Sequence, residues 1–476
     1  MYAVLRERYK QTSCKAESTN TLYRGGLTGS SDEALVMSVE RSGQLIWPIE
    51  LINQNTGRNF MKEAKSFIIS KHLVMEAWKR IRSNGGSAGI DKQSLMDFEK
   101  DLKGNLYRIW NRMSSGCYFP SAVKLVEIPK NGGGTRPLGI PTVSDRVAQM
   151  VVVLLIEPNL EQVFHQDSYG YRPNRSAHDA LDAARKRCWK YDWVIDMDIK
   201  GFFDNIDHDL LHKALVRHTS ENWILLYIKR WLEVPYECAN GQRIERTKGV
   251  PQGSVIGPVL ANLFLHYAFD EWITRQHPEV PFERYADDTI CHCRTREQAV
   301  AMQSAIQDRL MSCGLELNES KTKIVYCKDS NRKANYKEIK FDFLGYTFQP
   351  RKAESIKKQY FLSFLPAISN KAKKKIGEVM RSWWKTSRTD KSIKELADWY
   401  NPIIQGWINY YGKFYKTAMY PLLGRMNMRL IIWVTKKYKG FRGRRTRARQ
   451  WLGRLAKADP NLFAHWRFGI IPLKTL

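Results

Sequence analysis

The sequence has 476 residues, and its 77 lysine and arginine residues exceed its 48 acidic residues to leave a net charge of +29. Such a length allows a substantial core and two or three domains, and so large a positive excess is costly by self-repulsion unless a polyanion offsets it. The charge therefore favours a nucleic-acid partner over a merely solvated basic surface or a protein that lies on a membrane.

The cysteines and the apolar runs argue against a zinc-binding protein and against a membrane-spanning or secreted protein. The eight cysteines are scattered, and the close pair Cys291 and Cys293 has no second pair downstream at the spacing of a zinc site. The longest apolar run, at residues 151–156, is well short of the ~20 residues of a membrane span, and no secretory segment follows Met1. We expect a reduced, soluble, cytoplasmic protein, in a ribonucleoprotein or at the nucleoid, with no membrane partner.

In chain order, the N-terminal part predicts an extension and then a mixture of helices and strands. Residues 1–60 show no sustained hydrophobic period and are interpreted as loosely ordered. Apolar positions at helical spacing predict a helix over 68–81, which a Gly/Ser loop at 84–91 interrupts. Extended segments around the glycine-rich residues 131–135 predict a hairpin with a flexible tip, and a long helix is predicted over 144–163.

The central part combines short strands with helices. Its patterns predict a strand over 193–199, a helix over 210–217, a long apolar helix over 254–272 and a hairpin over 284–293. After about residue 357 the strand signals fade, so the remainder is expected to be helical.

The C-terminal part predicts helices and a basic tail. Two or three amphipathic helices are expected over 369–438, punctuated by Pro402 and Pro421. Most of their aromatic rings are expected to be helical core, although rings near basic residues can also stack on bases. Residues 436–457 hold ten basic residues and no acidic one, which predicts phosphate binding, with a solvated charge run as the alternative.

Three stretches carry candidate chemistry: an apolar strand that reaches Asp198, a glycine-rich turn at 249–254, and the pair Asp287-Asp288 between aromatic and apolar residues. Adjacent aspartates in a hydrophobic hairpin are costly because like charges repel and lose hydration, and a divalent cation is the simplest compensation. Two metal ions about 4 Å apart can activate a hydroxyl and neutralise a leaving pyrophosphate. One hairpin offers few ligands for two ions, so Asp198 is the candidate third carboxylate. A turn or a solvated pair is the alternative for Asp287-Asp288.

These stretches, with others in the same order, resemble the successive blocks of reverse transcriptases. The matching segments are Arg-Pro-Leu-Gly-Ile-Pro at 136–141, Asp-Ile-Lys-Gly-Phe-Phe at 198–203, Pro-Gln-Gly at 251–253, Tyr-Ala-Asp-Asp at 285–288 and Phe-Leu-Gly at 343–345. The amino-acid sequences of these motifs are similar to those of bacterial group II intron-encoded reverse transcriptase/maturases. Residues 406–415 resemble the helical thumb, or maturase domain, of that family.

The resemblance implies an α/β fold, a right-hand polymerase with an α-helical thumb/maturase domain and a basic C-terminal tail. It implies fingers and palm over 61–356, the thumb over 357–435 and the nucleic-acid-binding tail over 436–476, with residues 1–60 unmatched. Many relatives carry a zinc-stabilised nuclease after this tail. The tail of this chain has no cysteine, so we expect no strand-cutting activity of its own.

The resemblance also implies the metal ligands. Asp198, Asp287 and Asp288, with the backbone carbonyl of Ile199, would bind two Mg²⁺ ions. Asp196 lies on the same strand face as Asp198 but matches no ligand position, so a structural role is expected for it.

Nucleotide-binding roles follow in the same way. Lys130 and Arg136 would grip the triphosphate, since arginine is a bidentate phosphate ligand. Gln252 and Gly253 would position nucleotide and template, because glycine allows close backbone approach. Phe203 would pack against the sugar 2′ position.

Three of these assignments have named alternatives. Core packing would explain Phe203 equally well, as it would the neighbouring Phe202. Lys321 matches a lysine thought to protonate pyrophosphate, and Lys323 is its competitor. The loop at 85–91 resembles an N-terminal lid over the template, with a plain connecting loop as the alternative.

The remaining assignments concern nucleic acid. Phe343, Leu344 and Gly345 would form the primer grip, a role compatible with a buried strand end. The tail would bind DNA or intron RNA through five arginines, Arg442, Arg444, Arg445, Arg447 and Arg449.

The sequence therefore predicts an RNA-templated DNA polymerase of group II intron type that also assists splicing and mobility. Its partners would be intron RNA, an RNA template, a DNA primer or target, and deoxynucleoside triphosphates. Two alternatives stay open: a domesticated reverse transcriptase in DNA repair or phage defence, and a non-catalytic RNA-folding factor.

Overall fold

A computed structural model describes residues 66–129, 135–384 and 388–472. The helices, in chain order, are α1 (Lys71–Asn84), α2 (Leu95–Lys100), α3 (Leu102–Ser114), α4 (Val143–Val163), α5 (Ala177–Cys188), α6 (Phe202–Asn205), α7 (His208–Val216), α8 (Asn222–Glu233), α9 (Gly257–Leu265), α10 (Glu271–Gln276), α11 (Arg296–Ser312), α12 (Asn370–Trp383), α13 (Ile393–Tyr411), α14 (Tyr420–Lys437), α15 (Arg445–Ala458) and α16 (Ala464–Arg467). The strands are β1 (Val123–Pro129), β2 (Thr135–Ile140), β3 (Trp193–Met197), β4 (Tyr236–Glu237), β5 (Arg243–Ile244), β6 (Phe282–Tyr285), β7 (Asp288–Cys293), β8 (Lys323–Tyr326), β9 (Phe341–Phe343), β10 (Tyr346–Glu354) and β11 (Tyr360–Ile368).

The long helix α4 anchors the N-terminal part. It begins at Thr142, whose side chain accepts a hydrogen bond from the Asp145 amide at 3.1 Å. Most faces of α4 are buried, and α1 packs along it through Val74, Ala77, Trp78 and Ile81. The antiparallel pair β1 and β2 precedes α4, so the two arms of the predicted hairpin and the two predicted helices are confirmed. Residues 131–134 of the predicted flexible tip and the predicted extension over 1–60 lie outside the described residues.

The central sheet has the strand order β6-β7-β3-β8 and is antiparallel throughout. β3 lies inside this sheet, and its apolar residues are buried, as expected of the predicted apolar strand. The register pairs Met197 of β3 with Thr289 of β7, which brings the polar residues after β3 to the start of β7. The predicted strand and hairpin are confirmed, and the mixture of sheets and packed helices agrees with the predicted α/β class.

The apolar segment predicted as one helix over 254–272 is helical but interrupted. Helices α9 and α10 are separated by a π-helical segment, His266–Asp270. A π-helix widens the turn by one residue and changes the direction of the side chains beyond it. The buried side of the segment thereby includes Asp270.

The prediction that strands end near residue 357 is wrong. β11 pairs antiparallel with β10 over nine residues, from Tyr346↔Ile368 to Glu354↔Tyr360, and β9 completes this three-stranded sheet. The sequence of β11 lacks the alternation of polar and apolar residues that indicates a strand, because its exposed end carries the apolar residues Tyr360 and Phe361.

The C-terminal helices α12 to α16 form one core, which includes Trp433, Phe463 and Trp466. Pro402 lies inside α13, so its predicted role as a break is wrong, whereas Pro421 stands at the start of α14, where proline suits the first turn. Helix α15 buries residues of the predicted tail in the same core, so segments on both sides of the predicted boundary at 435/436 fold together.

Among the helices of the described residues, none is long and apolar enough to cross a bilayer. The seven cysteines within the described ranges are free thiols.

Candidate active site

The Asp-Asp pair lies in the tight turn between β6 and β7, residues 285–288, called the aspartate turn below. Tyr285 and Asp288 form the last cross-strand pair, so Ala286 and Asp287 make the connection. Ala286 has φ of 58°, in the left-handed region that residues with a Cβ rarely adopt. The sequence therefore forms a turn here at some cost in backbone strain, which packing around the turn must offset.

Asp198 follows β3 directly and lies beside the aspartate turn. Since Met197 pairs with Thr289 in an antiparallel register, the next residue along each strand brings Asp198 towards Asp288. The protein around the Asp288 carboxylate reduces its hydration, and the charges of Asp287 and Asp198 lie close to it. Both effects raise the pKa of Asp288 to about 7, even though the residue as a whole is exposed to solvent. Burial also raises the pKa of Asp287, which Asp198 raises further. The three predicted carboxylates thus influence one another electrostatically.

The donor set suits a divalent cation. Three carboxylates supply the hard oxygen ligands that Mg²⁺ prefers, and the raised pKa of Asp288 marks uncompensated negative charge. Within the described ranges, no group of three or more His, Cys, Asp or Glu side chains stands ready to hold a metal ion.

The residues after β3 and before β8 hold Asp198 in place. The Asp198 carbonyl accepts a hydrogen bond from the Asn318 amide at 2.8 Å, and Ile199 bridges to Leu317. Lys321 Nζ lies 2.8 Å from Asp198 Oδ2. Lys321, predicted to act on pyrophosphate, therefore contacts a predicted metal ligand.

Asp196 lines the same cleft as Asp198 and Asp288. Burial raises its pKa to about 7, with further contributions from the charges of Asp288, Asp342 and Asp198. Its predicted structural role stays a prediction, and its position beside the other carboxylates is what the strand alternation indicated.

The cleft itself has a volume of about 590 Å³ and extends from the central sheet to the start of α12. The cleft is lined by basic residues as well as by aspartates, which include Asp196, Asp198 and Asp288. These basic residues are Lys321, Lys323, Lys340, Arg351, Lys371 and Lys373. A cleft lined by both carboxylates and cations fits metal ions together with a phosphodiester backbone.

The predicted nucleotide-binding residues beyond β1 converge on one loop. Arg136 Nε donates to Gln252 Oε1, and Gln252 Nε2 donates to Asp204 Oδ1 at 3.2 Å. The Gly139 amide donates to the Gln252 carbonyl at 2.8 Å, and a Cβ on Gly253 would lie 2.4 Å from the Gly139 carbonyl oxygen. Only glycine fits at 253, because the β1–β2 hairpin contacts this loop directly. Lys130 lies outside the described residues.

Phe203 and Phe202 form the first turn of α6, with ring centroids 5.2 Å apart. Phe203 is 8% exposed and Phe202 2%, and the Phe202 ring also contacts Phe264. Phe203 is therefore the more accessible ring, although both belong to the core. Their roles stay predictions.

The predicted primer grip is a turn between β9 and β10 in which Leu344 has φ of 49° and Gly345 φ of 80°. Tyr410 of α13 donates from its hydroxyl to the Leu344 carbonyl at 2.8 Å. A Cβ on Gly345 would lie 3.2 Å from the hydroxyl of Tyr411. Sequence reasoning treated these tyrosines only as core or base-stacking rings, and their hydroxyl contacts with this turn were missed.

The loop at 85–91 packs on the start of α4. The buried Arg146 guanidinium donates to the Ser87 carbonyl at 2.7 Å and to the Gly85 carbonyl at 3.3 Å. A Cβ on Gly89 would lie 2.6 Å from Thr142 Cα. Arg146 was not predicted to have a role. An arginine close to the apolar run of a long predicted helix was the signal that could have found it.

The tail arginines lie in and just before α15. Arg442, Arg444, Arg445 and Arg447 are exposed, whereas Arg449 is half-buried and donates to the Met428 sulfur at 3.8 Å. Over the described part of the chain, none of these arginines forms an ion pair with an acidic side chain. Their role in binding phosphate stays a prediction.

Comparisons with known families match both parts of the chain. Residues 128–348 match the family described as "Reverse transcriptase (RNA-dependent DNA polymerase)", a range that contains Asp198, the aspartate turn and the Arg136–Gln252 pair. Residues 371–451 match "Group II intron, maturase-specific domain". Protein YkfC of Escherichia coli K12 is 30% identical over 279 residues, which cover 51% of this chain and 73% of that protein. The chain belongs to the group II intron reverse transcriptase/maturase family.

Other relatives agree with this family. The group II intron-encoded protein LtrA of Lactococcus lactis subsp. cremoris is 31% identical over 248 residues, and the match spans 51% of this chain but 40% of LtrA. A 91 kDa protein in the cob intron of Schizosaccharomyces pombe is 29% identical over 221 residues, 46% of this chain and 27% of that protein. The relatives come from bacteria and a fungus, so bacterial origin stays a prediction.

Family membership confirms several predictions at once. The chain is an RNA-directed DNA polymerase by class, and its two domains imply RNA and DNA substrates and dependence on a divalent metal ion. The reverse transcriptase and maturase-specific domains, together with the intron-encoded relatives, support reverse transcription and assistance to splicing, and they do not favour the two alternative functions. The identity of the metal, the roles of single residues and the cellular compartment stay predictions.

Proposed function

We propose that this group II intron reverse transcriptase/maturase copies RNA into DNA at the cleft beside the aspartate turn, with two Mg²⁺ ions held by Asp198, Asp287 and Asp288. The observation that carries this proposal is the position of the three aspartates at the adjoining ends of β3 and β7, inside the matched polymerase domain. The Ile199 backbone carbonyl would supply a further oxygen ligand.

Bound Mg²⁺ would supply charge neutralisation at the reacting phosphate and lower the pKa of the attacking 3′-hydroxyl. The carboxylates of the three aspartates orient that centre. One carboxylate oxygen of Asp198 contacts the Lys321 ammonium group, which therefore lies at the edge of the reacting region. Lys321 there donates a proton to the departing pyrophosphate.

The incoming nucleotide would bind between the β1–β2 hairpin and the loop at Gln252. Arg136 holds the triphosphate as a bidentate cation. Its present partner Gln252 can release the guanidinium and retain Asp204 through its amide group. Gly253 keeps the backbone close to the template, and the Phe203 ring excludes a 2′-hydroxyl by volume.

The second half of the proposal is RNA binding. The exposed Arg442, Arg444, Arg445 and Arg447 precede or begin α15, in the maturase-specific domain. Among the described residues they have no acidic partner, so their charge is available to a phosphate backbone. The partners are the intron RNA, an RNA template, a DNA primer or target, and deoxynucleoside triphosphates. Splicing assistance is binding and stabilisation of folded RNA, so it does not need the metal site.

One experiment tests both halves. Asp287→Asn with Asp288→Asn should abolish DNA synthesis on a primed RNA template, because metal ligands that stabilise the transition state by several kcal/mol are lost. The same variant should still promote splicing of the cognate intron at low Mg²⁺. Asp308→Asn, an exposed aspartate on α11, is the control and should behave as wild type in both assays. A double variant that polymerises at the wild-type rate would overturn the active site, and a wild-type protein that fails to promote splicing would overturn the maturase half.

A further inference from the structure

A buried ion pair lies directly beneath the aspartate turn. Arg284 and Asp270 are both 0% exposed, and the guanidinium contacts both carboxylate oxygens, with Nε 2.7 Å from Oδ1 and Nη2 2.5 Å from Oδ2. Burying two charges carries a desolvation penalty that their attraction often fails to offset, so such a pair is weak evidence for a stabilising role. Its other contacts indicate what it does.

The third nitrogen of the guanidinium points at the turn itself. Arg284 Nη1 donates to the Ala286 carbonyl at 3.1 Å and to Asn262 Oδ1 at 3.0 Å. Ala286 is the left-handed residue of the turn, and its carbonyl carbon is bonded to the nitrogen of Asp287. Arg284 therefore holds the peptide that sets the direction of the Asp287 backbone.

The other side of the turn is held by Gly170. A Cβ on Gly170 would lie 2.3 Å from the Ala286 amide nitrogen, so only glycine allows this approach. Asn262 connects the two sides, because its Nδ2 donates to the Gly170 carbonyl at 2.7 Å while its Oδ1 accepts from Arg284. The strained residue is thus enclosed between Gly170 and the guanidinium.

The position of Asp270 depends on the π-helical segment. Asp270 is the last residue of His266–Asp270, where the widened turn directs its side chain into the core towards Arg284. π-helical turns are rare and occur frequently at functional sites. The irregular helix, the buried pair and the strained turn therefore form one connected arrangement.

We propose that the Arg284–Asp270 ion pair is the positioning element of the metal site: it holds the Ala286 carbonyl and thereby directs the Asp287 and Asp288 carboxylates. Neither residue of the pair contacts substrate or metal in this role. The inference rests on the proposed function, which assigns Asp287 and Asp288 as metal ligands.

The test removes both charges together. Arg284→Met with Asp270→Asn leaves no unpaired buried charge, and replacing both partners of a buried pair can leave stability nearly unchanged. The matched control is Arg187→Met with Glu283→Gln and Asp167→Asn, because Arg187 pairs with Asp167 at 2.7 Å as well as with Glu283. Arg187 Nη1 lies 2.6 Å from the fully buried Glu283 of the same strand, β6, and neither residue is hydrogen-bonded to Ala286.

Two quantities distinguish positioning from support of the fold. Mg²⁺ affinity, measured by calorimetry without nucleotide, should fall by about 10–100-fold in the Arg284 variant, as for other residues that orient metal ligands. The kcat for nucleotide addition should fall about 10²-fold, the cost of a ~1 Å misplacement, with little change in the KM for primer–template. The Arg187 control should keep both values near wild type, whatever its thermal stability.

Equal losses of stability and unchanged Mg²⁺ affinity in the two variants would overturn the inference. If the Arg284 variant fails to fold, Asn262→Ala loosens the same connection without removing a charge. It should weaken Mg²⁺ binding, and wild-type affinity would then overturn the inference. Asp287→Asn separates this result from failure of the proposed function: if it binds Mg²⁺ and polymerises like wild type, the metal site itself is wrong.

Discussion

Lys321 Nζ lies 2.8 Å from Oδ2 of Asp198, a residue 123 positions earlier in the chain. The two come together because Asp198 directly follows β3 and Lys321 lies just before β8, the strand that pairs with β3. A cation bound at Asp198 must share this carboxylate oxygen with the ammonium group or displace it. Lys321 therefore lies where a proton donor and a metal-bound phosphate can meet.

Replacing Lys321 tests whether it is that donor. Lys321→Ala should lower the rate of nucleotide addition by about 10²-fold or more, the usual contribution of a general acid. It should not weaken Mg²⁺ binding, because the ammonium competes with the metal for Asp198. Pre-steady-state kinetics and Mg²⁺ titration measure the two effects.

Lys323→Ala is the matched control, since Lys323 lines the same cleft but is paired in register with Asp196. It should have the smaller effect on rate. If Lys323→Ala reduces the rate as much as predicted for Lys321, and Lys321→Ala does not, the donor has been assigned to the wrong lysine.

Phe203→Ala should admit ribonucleotides, because the ring is proposed to exclude the 2′-hydroxyl by its volume. The measurement is the ratio of kcat/KM values for deoxyribonucleotides and ribonucleotides in both proteins. Phe202→Ala is the comparison: its ring is 2% exposed and packs on Phe264, so its loss should cost about 3–5 kcal/mol of stability and leave selectivity unchanged. Relaxed selectivity in Phe202→Ala alone would shift the gate to that residue.

The raised pKa values of the cleft carboxylates predict a pH dependence of stability. The pKa of Asp288 and of Asp196 is about 7 in the folded protein, above the ordinary value near 3.8, so folding favours their protonated forms. The stability they contribute is complete below about pH 4 and is lost as the pH rises towards 7. Relative to a variant with Asp196→Asn and Asp288→Asn, the metal-free wild-type protein should therefore lose thermal stability across that interval.

Mg²⁺ should oppose this loss, because it binds the ionised carboxylates. The increase in Tm on adding Mg²⁺ should be larger at pH 8 than at pH 5.5, and Asp288→Asn should reduce the difference. An increase that does not depend on pH would contradict metal binding at these carboxylates.

Four exposed arginines near the start of α15 should carry phosphate contacts. Changing Arg442, Arg444, Arg445 and Arg447 to Gln should weaken intron RNA binding and reduce the slope of log Kd against log salt by roughly 0.7–0.9 for each lost contact. Arg449 is left intact because it packs against Met428. Deleting residues from Lys436 onward would be a poorer test, since it removes Leu452 and Trp466 from the C-terminal core.

The control changes an equal number of basic residues whose charge is already offset by a carboxylate. These are Arg80, Arg82, Lys100 and Arg108. Their replacement by Gln should change the salt slope less. An unchanged salt slope in the arginine variant would contradict phosphate binding and indicate that these arginines are only a solvated run of charge.

The sequence by itself determined the enzyme family and the main elements of the palm. Asp198 at the end of an apolar strand, the Asp287-Asp288 pair in a hairpin and the glycine at 253 are recognisable because strand alternation, turn formation and close backbone approach are local properties of the chain. The motif order then identified the family, which the domain matches confirmed. β11 was missed because recognition depends on such local patterns, and its sequence does not alternate between polar and apolar residues.

Only the tertiary structure decided which polar groups meet inside the core. Arg284 with Asp270, Arg146 with the loop at 85–91 and Tyr410 with Leu344 are contacts between segments whose separation in sequence carries no periodic signal. A buried charge or hydroxyl needs a partner, but the sequence does not say which of many distant groups is brought within hydrogen-bond distance. That choice depends on strand register, on the π-helical turn before α10 and on the packing of α13 against the β9–β10 turn.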